Sequence, residues 1–192
     1  MSKVDKIADY IKNQLKCEYI KKDNYTIEVT STLQTIESNL EFLKCDEKCR
    51  FEVLIDIFAV DYPNNEKRFD LIYNLLSVVY NSRVCIKLQL DEGESPRSIA
   101  EFFSTASWFE REVFDMYGIE FISHPDLRRI LSDYGFKGYP MLKDFPLTGY
   151  EEVTYDEKAK KVVYQPVDLS QDFRTFENLL SPWEGNKKSD TT

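Results

Sequence analysis

The stretch FEVLIDIFAVDYPNNEKRFDLIYNLLSVVYNSRVCIKLQL, positions 51–90, decides the fold class. It holds three apolar runs with strand texture, 51–60, 69–80 and 83–90, separated by YPNNEKR (62–68) and by the pair Asn81-Ser82, both turn-forming. In the last run Val84, Ile86, Leu88 and Leu90 alternate with Arg83, Lys87 and Gln89, the pattern of a strand with one face in a core and one in water. Links this short favour antiparallel neighbours, so a meander backed by helices is expected.

The flanks supply the helices. Upstream, Val4, Ile7, Ala8, Ile11 and Leu15 recur at helical spacing after Ser2, with Asp5 placed for a capping box. A short strand, YTIEVT (25–30), follows, and Ser31 or Thr32 opens a second helix with Leu33, Ile36, Leu40 and Leu43 on one stripe. Downstream, Ser95-Pro96 signals a helix that buries Ile99, Phe102 and Phe103. Ser107 and Glu110 form a second capping box, and the helix it opens runs through EREVFDMY to Gly118, which suits a left-handed cap. The predicted class is α+β: over residues 1–120, an N-terminal mixed, mostly antiparallel sheet packed with helices.

Beyond Gly118 the texture changes. HPDLRRILSDYGFKGYPMLKDFPLTGY (124–150) mixes proline, glycine and aromatic residues without a period of 3.6 or 2, and its net charge of +1 contrasts with −7 before it and −3 after it. Residues 121–184 are therefore expected to form an extended, turn-rich arm, with a small hairpin over 152–167 and a disordered tail over 185–192. A solvated linker is poor in aromatic residues, so the rings of this arm need a surface, on the chain's own domain or on a partner.

The composition narrows function. In 192 residues, 25 basic against 34 acidic side chains leave a net charge of −9, which disfavours nucleic acid. No apolar stretch approaches the roughly 20 residues that span a bilayer. The N-terminal MSKVDKIADYIKNQLK lacks the features of a secretory or transit peptide and reads as a cytoplasmic start. Cys17, Cys45, Cys49 and Cys85 form no CxxC pair and read as free thiols in a reducing compartment, outside any zinc or iron–sulfur framework. There is no glycine-rich phosphate loop.

The densest chemistry lies on the EREVFDM helix. Glu112 and Asp115 are three residues apart, with Arg111 four before Asp115, a spacing that serves a salt-bridged surface or a pair of acid–base carboxylates. His124, the single histidine, precedes Pro125 and suits a structural hydrogen bond. Arg128, Arg129, Lys143 and Asp144 sit among apolar neighbours and need partners, either Asp126, Asp133 and Asp144 or groups on another protein.

The run EREVFDMYGIEFISHPDLRRILSDYGFKGYPMLKDFPLTGYEEVTYD (110–156), with VVYQPVDL (162–169), FRTF (173–176) and SPWE (181–184), resembles the thirty-kilodalton subunit family of respiratory complex I, whose bacterial members are the C subunits of NADH:quinone oxidoreductase. The resemblance implies a non-redox scaffold subunit of the peripheral arm, held against the quinone-site D subunit and its neighbours. It places the chain on the cytoplasmic side of the bacterial inner membrane, without spanning it. It implies no cofactor on this chain, with FMN, iron–sulfur clusters and quinone in partner subunits. The family motif maps to Glu110, Arg111, Glu112, Asp115, His124, Asp126, Arg128 and Arg129, and the KDFPLTGY run to Lys143, Asp144, Phe145 and Tyr150. With the aromatic residues Tyr134, Phe136 and Trp183, these form the expected partner interface; catalytic and metal sites are expected to be absent. Leu142 and Gln165 depart from the family pattern, where arginine and glutamate commonly stand. Two other readings stay open: the equivalent subunit of a related membrane-bound hydrogenase or dehydrogenase, and a stand-alone acid–base enzyme using Glu112, Asp115 and His124.

Overall fold

Alternation in the 51–90 stretch builds the centre of a five-stranded mixed sheet. A computed structural model describes residues 3–15, 19–21 and 26–171. The elements run α1 (Lys3–Leu15), β1 (Tyr19–Lys21), β2 (Thr26–Ser31), α2 (Ile36–Cys45), β3 (Val53–Asp61), β4 (Phe69–Ser77), β5 (Ser82–Leu90), α3 (Ala106–Tyr117), β6 (Glu151–Asp156) and β7 (Lys161–Pro166). The strand order is β1-β2-β5-β4-β3. Strands β3, β4 and β5 form the expected antiparallel meander, while β2 joins β5 in parallel, Val29 opposite Ile86. A β2–α2–β3 crossover spans the two strands between, so β3 forms the far edge.

One face of the sheet is the core. Val84, Ile86, Leu88 and Leu90 are fully buried, as their period-2 spacing requires, and Tyr73 and Leu75 of β4 lie in register with Ile86 and Val84. Ile7, Ala8 and Ile11 of α1 and Ile36, Leu40 and Leu43 of α2 join the same cluster, the apolar stripes of two amphipathic helices. The opposite face is polar and partly open: Asn74 donates to Asp56 at 2.7 Å, and Lys87 pairs with Asp70 at 2.6 Å.

Several local expectations are corrected. Residues 96–103 form turns and a parallel bridge between Arg97 and Ile122, not a helix, although Ile99 and Phe103 are buried as expected. The backbone N–H of Ile99 donates to the Glu110 carboxylate and the Pro96 carbonyl accepts the Ile122 N–H, so groups that the first turn of a helix would pair are already spent. Glu110 therefore closes no capping box; Thr105 is the N-cap of α3, and Ser107 lies within the helix. The β4–β5 link is the four residues 78–81, with Asn81 left-handed at φ +48°, so Val78 and Val79 stand exposed in a loop, not in a strand. Leu33 lies ahead of α2 and is exposed. Strand β1 escapes the sequence pattern, and Ser2, with its predicted cap, lies outside the described residues.

The chain divides into two compact units, 1–147 and 148–192. Residues 121–147 thus belong to the first unit, and the boundary expected at 120 falls inside it. In the second unit β6 and β7 pair as the expected hairpin, Val153 opposite Tyr164. Trp183, the FRTF and SPWE runs and the tail 185–192 lie outside the described residues.

Candidate functional site

Three buried carboxylates tie residues 96–147 onto the sheet and α3. The first is Asp115, on the inward side of α3, whose side chain is fully shielded. It accepts the backbone N–H groups of Ile130, Leu131 and Ser132 at 2.7–3.0 Å, the Ser132 hydroxyl, and Nη1 of Arg129 at 2.8 Å. Burial alone would raise its pKa, but the Ser132 hydroxyl, the backbone donors and Arg129 outweigh that and hold it well below the usual carboxylate range. Arg129 completes the knot by donating to the Gly138 carbonyl at 3.0 Å and lying over the Tyr139 ring at 5.2 Å.

The second is Asp61, at the end of β3. Arg68 grips it with Nε and Nη2 at 2.8 and 3.1 Å, and the Lys143 N–H donates to it at 2.7 Å. Burial opposes ionisation here too, and the Arg68 and Lys143 donors reverse the balance, leaving the Asp61 pKa lowered. Arg68 also reaches Asp144 at 3.0 Å and pairs with Glu92, so one guanidinium links β3, the loop after β5 and the KDFP run.

The third, Glu110, accepts the Ser98 hydroxyl at 2.6 Å and the Ile99 N–H at 2.8 Å. Among the described residues no lysine or arginine pairs with it, and burial pushes its pKa up to about 7 against the opposing pull of those two donors. Nε2 of His124 stands 3.7 Å from Glu110. Nδ1 of His124 accepts the Asp126 N–H at 3.0 Å, which puts the ring hydrogen on Nε2, and Nε2 donates to the Ser107 carbonyl at 3.1 Å.

Two left-handed glycines let the arm lie close. Gly118 caps α3 at φ +79°, and a Cβ there would stand 2.6 Å from the Tyr139 ring. Gly138, at φ +94°, would meet the Phe145 ring at 2.8 Å. Phe145 in turn packs on Phe136, centroids 5.9 Å apart. Sequence reasoning missed Asp61, Arg68 and Ser98; Arg68 sits in a turn-forming link, and nothing local marks a partner 76 residues away.

The predicted interface residues thus fall into two sets. Glu110, Asp115, His124 and Arg129 face inward and hold the arm to its own domain: Asp115 pairs with Arg129, Glu110 accepts from Ser98 and Ile99, and His124 bonds the backbone of residues 107 and 126. Arg111 belongs with them, its guanidinium donating to the carbonyls of Arg128 and Arg129 at 3.0 Å. Facing outward are Glu112, Arg128 paired with Asp126 at 2.7 Å, Lys143, Asp144 and Tyr134. Phe136 and Phe145 are half-buried. Tyr150, in the second unit, is exposed. Glu112, Asp115 and His124 are not brought to a common point: Asp115 is saturated by residues 129–132, and both nitrogens of His124 are bonded to backbone. Gln165, one of the two departures, donates to Glu152 at 2.6 Å across the hairpin, and Leu142 packs against the core cluster. Among the described residues no group of three or more His, Cys, Asp and Glu side chains could hold a metal ion, and no helix is long and apolar enough to cross a membrane.

Comparison with known proteins places this arrangement. The chain is 69% identical over 182 residues, 95% of each chain, to the C subunit of the NADH-quinone oxidoreductase of Wolbachia sp. subsp. Brugia malayi. It is 55% identical over 159 residues to that of Rhodospirillum rubrum, covering 83% of this chain and 74% of that one. Two solved structures share the fold: the trypsin-resistant fragment (1–134) of Nqo5, with TM-score 0.57 and 21% identity over 65% of this chain and 99% of that one, and a chain of the membrane-bound sulfane sulfur reductase, an archaeal respiratory membrane complex, with TM-score 0.67 and 24% identity over 76% and 87%. Residues 29–151 match the family model of the respiratory-chain NADH dehydrogenase 30 Kd subunit, and the chain belongs to that family.

Proposed function

We propose that this chain is a non-redox scaffold subunit of a proton-translocating NADH:quinone oxidoreductase, supporting the quinone-site subunits in the peripheral arm during electron transfer from NADH to quinone. The observation that carries the reading is the division of labour along residues 121–147. Charged and backbone groups are spent inward on Asp115 and Asp61, while Leu131, Tyr134, Met141 and Leu147 are turned out at 63%, 103%, 50% and 89% exposure. A loop fixed this firmly that presents large apolar side chains to water has the anatomy of a docking surface. Membership of the family, with relatives named as C subunits of NADH-quinone oxidoreductases, supports such an assembly. In this reading the D subunit and neighbouring peripheral-arm subunits are the partners, FMN, iron–sulfur clusters and quinone belong to those partners, and the complex lies on the cytoplasmic face of the inner membrane.

The related membrane-bound complexes share the fold at 24% identity, against 69% and 55% for the relatives named NADH-quinone oxidoreductase, which favours the latter assembly. A stand-alone acid–base enzyme is disfavoured by the saturated Asp115 and the buried His124. The test is affinity purification in mild detergent from native membranes through a tag on this chain, with mass spectrometry and an NADH:quinone assay on the eluate. A flavin and iron–sulfur assembly with that activity is expected; recovery of the chain alone would overturn the reading.

A further inference from the structure

The far edge of the sheet is the feature this reading leaves unused. Strand β3 is nine residues long and, among the described residues, pairs with β4 on one side only. A long apolar edge is an aggregation hazard that proteins blunt with lysine, proline or a cover. VLIDIFAVD has neither lysine nor proline, and Val53, Ile55 and Phe58 are 41%, 39% and 39% exposed. Its single irregularity is the register shift between Leu54 and Asp56, which leaves the stretch from Asp56 to Asp61 regular.

Along that regular stretch runs a groove of about 380 Å³. It is lined by three consecutive residues of the edge, Ile57, Phe58 and Ala59, so it follows the strand's border and not one face of the sheet. Its other wall is α3, with Glu112 and Met116, and the arm contributes Leu131 and Met141. One end is closed by the arm itself, where Met141 N–H bonds the Met116 carbonyl at 3.0 Å and Lys143 N–H bonds Asp61. Among the described residues that line the groove Glu112 is the only charge, and it is exposed.

From these features we infer that this groove receives an extended segment of a partner subunit, which adds to β3 as a sixth strand. The edge supplies backbone donors and acceptors, the two apolar walls select alternating apolar side chains, and Glu112 selects a lysine or arginine among them. The inference rests on the scaffold reading for the existence of the partner; the groove shares Leu131 and Met141 with the outward face of the arm, but not the tip at Tyr134.

The test uses the full chain in the purified assembly, with the photoreactive residue p-benzoyl-phenylalanine in place of Leu131, Met141 or Tyr134, one at a time. Irradiation is expected to join positions 131 and 141 to one short partner segment of alternating apolar residues with a lysine or arginine. Glu112→Lys should lower that yield about threefold, the scale of an exposed ion pair. Amide hydrogen exchange over residues 56–61 should be slower in the assembly than in the free chain. An adduct from Tyr134 with none from 131 or 141, or unchanged exchange over 56–61, overturns the groove and leaves the scaffold reading standing. An adduct to a second copy, to residues 172–192 or to a helical segment overturns the proposed occupant. If none of the three positions reacts and the chain elutes alone, both readings fall.

Discussion

The guanidinium of Arg129 donates to Asp115, Ser132 and Gly138, whereas that of Arg128, 72% exposed, meets, among the described residues, the half-exposed carboxylate of Asp126 alone. Two adjacent arginines therefore carry different work. Arg129→Ala should cost about 3 kcal/mol, because it strips the cation from a carboxylate that cannot reach water. Arg128→Ala should move the folding free energy by no more than about 0.5 kcal/mol, and its effect should appear in the affinity for partner subunits. Urea denaturation of the two variants separates the cases. Charge reversal of both together would lose assembly by unfolding the arm, so only the single variants report on the interface. Asp115→Asn should match or exceed Arg129→Ala, since the amide nitrogen must face either the backbone N–H groups of residues 130–132 or the Arg129 guanidinium, donor against donor; faster protease cleavage over 129–134 is the check. This knot was half legible. The sequence shows Arg111 and Asp115 at salt-bridge spacing on one helix, but in three dimensions each finds a better partner on the arm.

At the scale of elements, α3 and the arm meet through glycines. Gly118 stops the helix at φ +79° and lets the Tyr139 ring lie where a Cβ would be, 2.6 Å away. Gly118→Ala should cost about 1–3 kcal/mol, from the positive φ together with displacement of the ring, and should loosen residues 139–142 more than the sheet. Hydrogen exchange at the Met141 amide, which bonds the end of α3, reads this directly. Gly118 was legible because a helix stop is a local event. So was β5, where every second side chain is buried. The parallel pairing of β2 with β5 was not, since Val29 and Ile86 are joined only after a helix and two strands intervene. The Ser95-Pro96 and Ser107…Glu110 signals misled for one shared reason: they are local helix-start chemistry, and Glu110 spends its carboxylate across the fold on residues 98 and 99 instead of on its own helix.

Across the whole molecule the three carboxylates that anchor residues 96–147 pull stability in opposite directions with pH. Asp61 and Asp115 have pKa values lowered from 3.8 by folding, so their contribution is full above that value and is lost as pH falls through the folded pKa. Glu110 is raised from 4.5 to about 7, so the folded state holds a proton there that the unfolded chain has released. Stability must then fall as pH rises between those values, by up to about 3 kcal/mol once both states are ionised. The net charge of −9 at pH 7, with pI near 4.8, adds self-repulsion of the same sign. The midpoint of urea denaturation of the isolated chain should therefore peak near pH 5, decline toward pH 8, and collapse in strong acid as the Asp115 knot is protonated. Glu110→Gln keeps an acceptor for Ser98 and Ile99 but cannot ionise, so it should flatten the decline between pH 5 and 8 and leave the acid limb in place. Arg129→Ala should do the reverse, since it weakens the group whose loss defines that limb. An unchanged slope in Glu110→Gln would assign the decline to net charge alone, and added salt, which screens exposed charges but not a buried carboxylate, distinguishes the two sources in the wild-type chain.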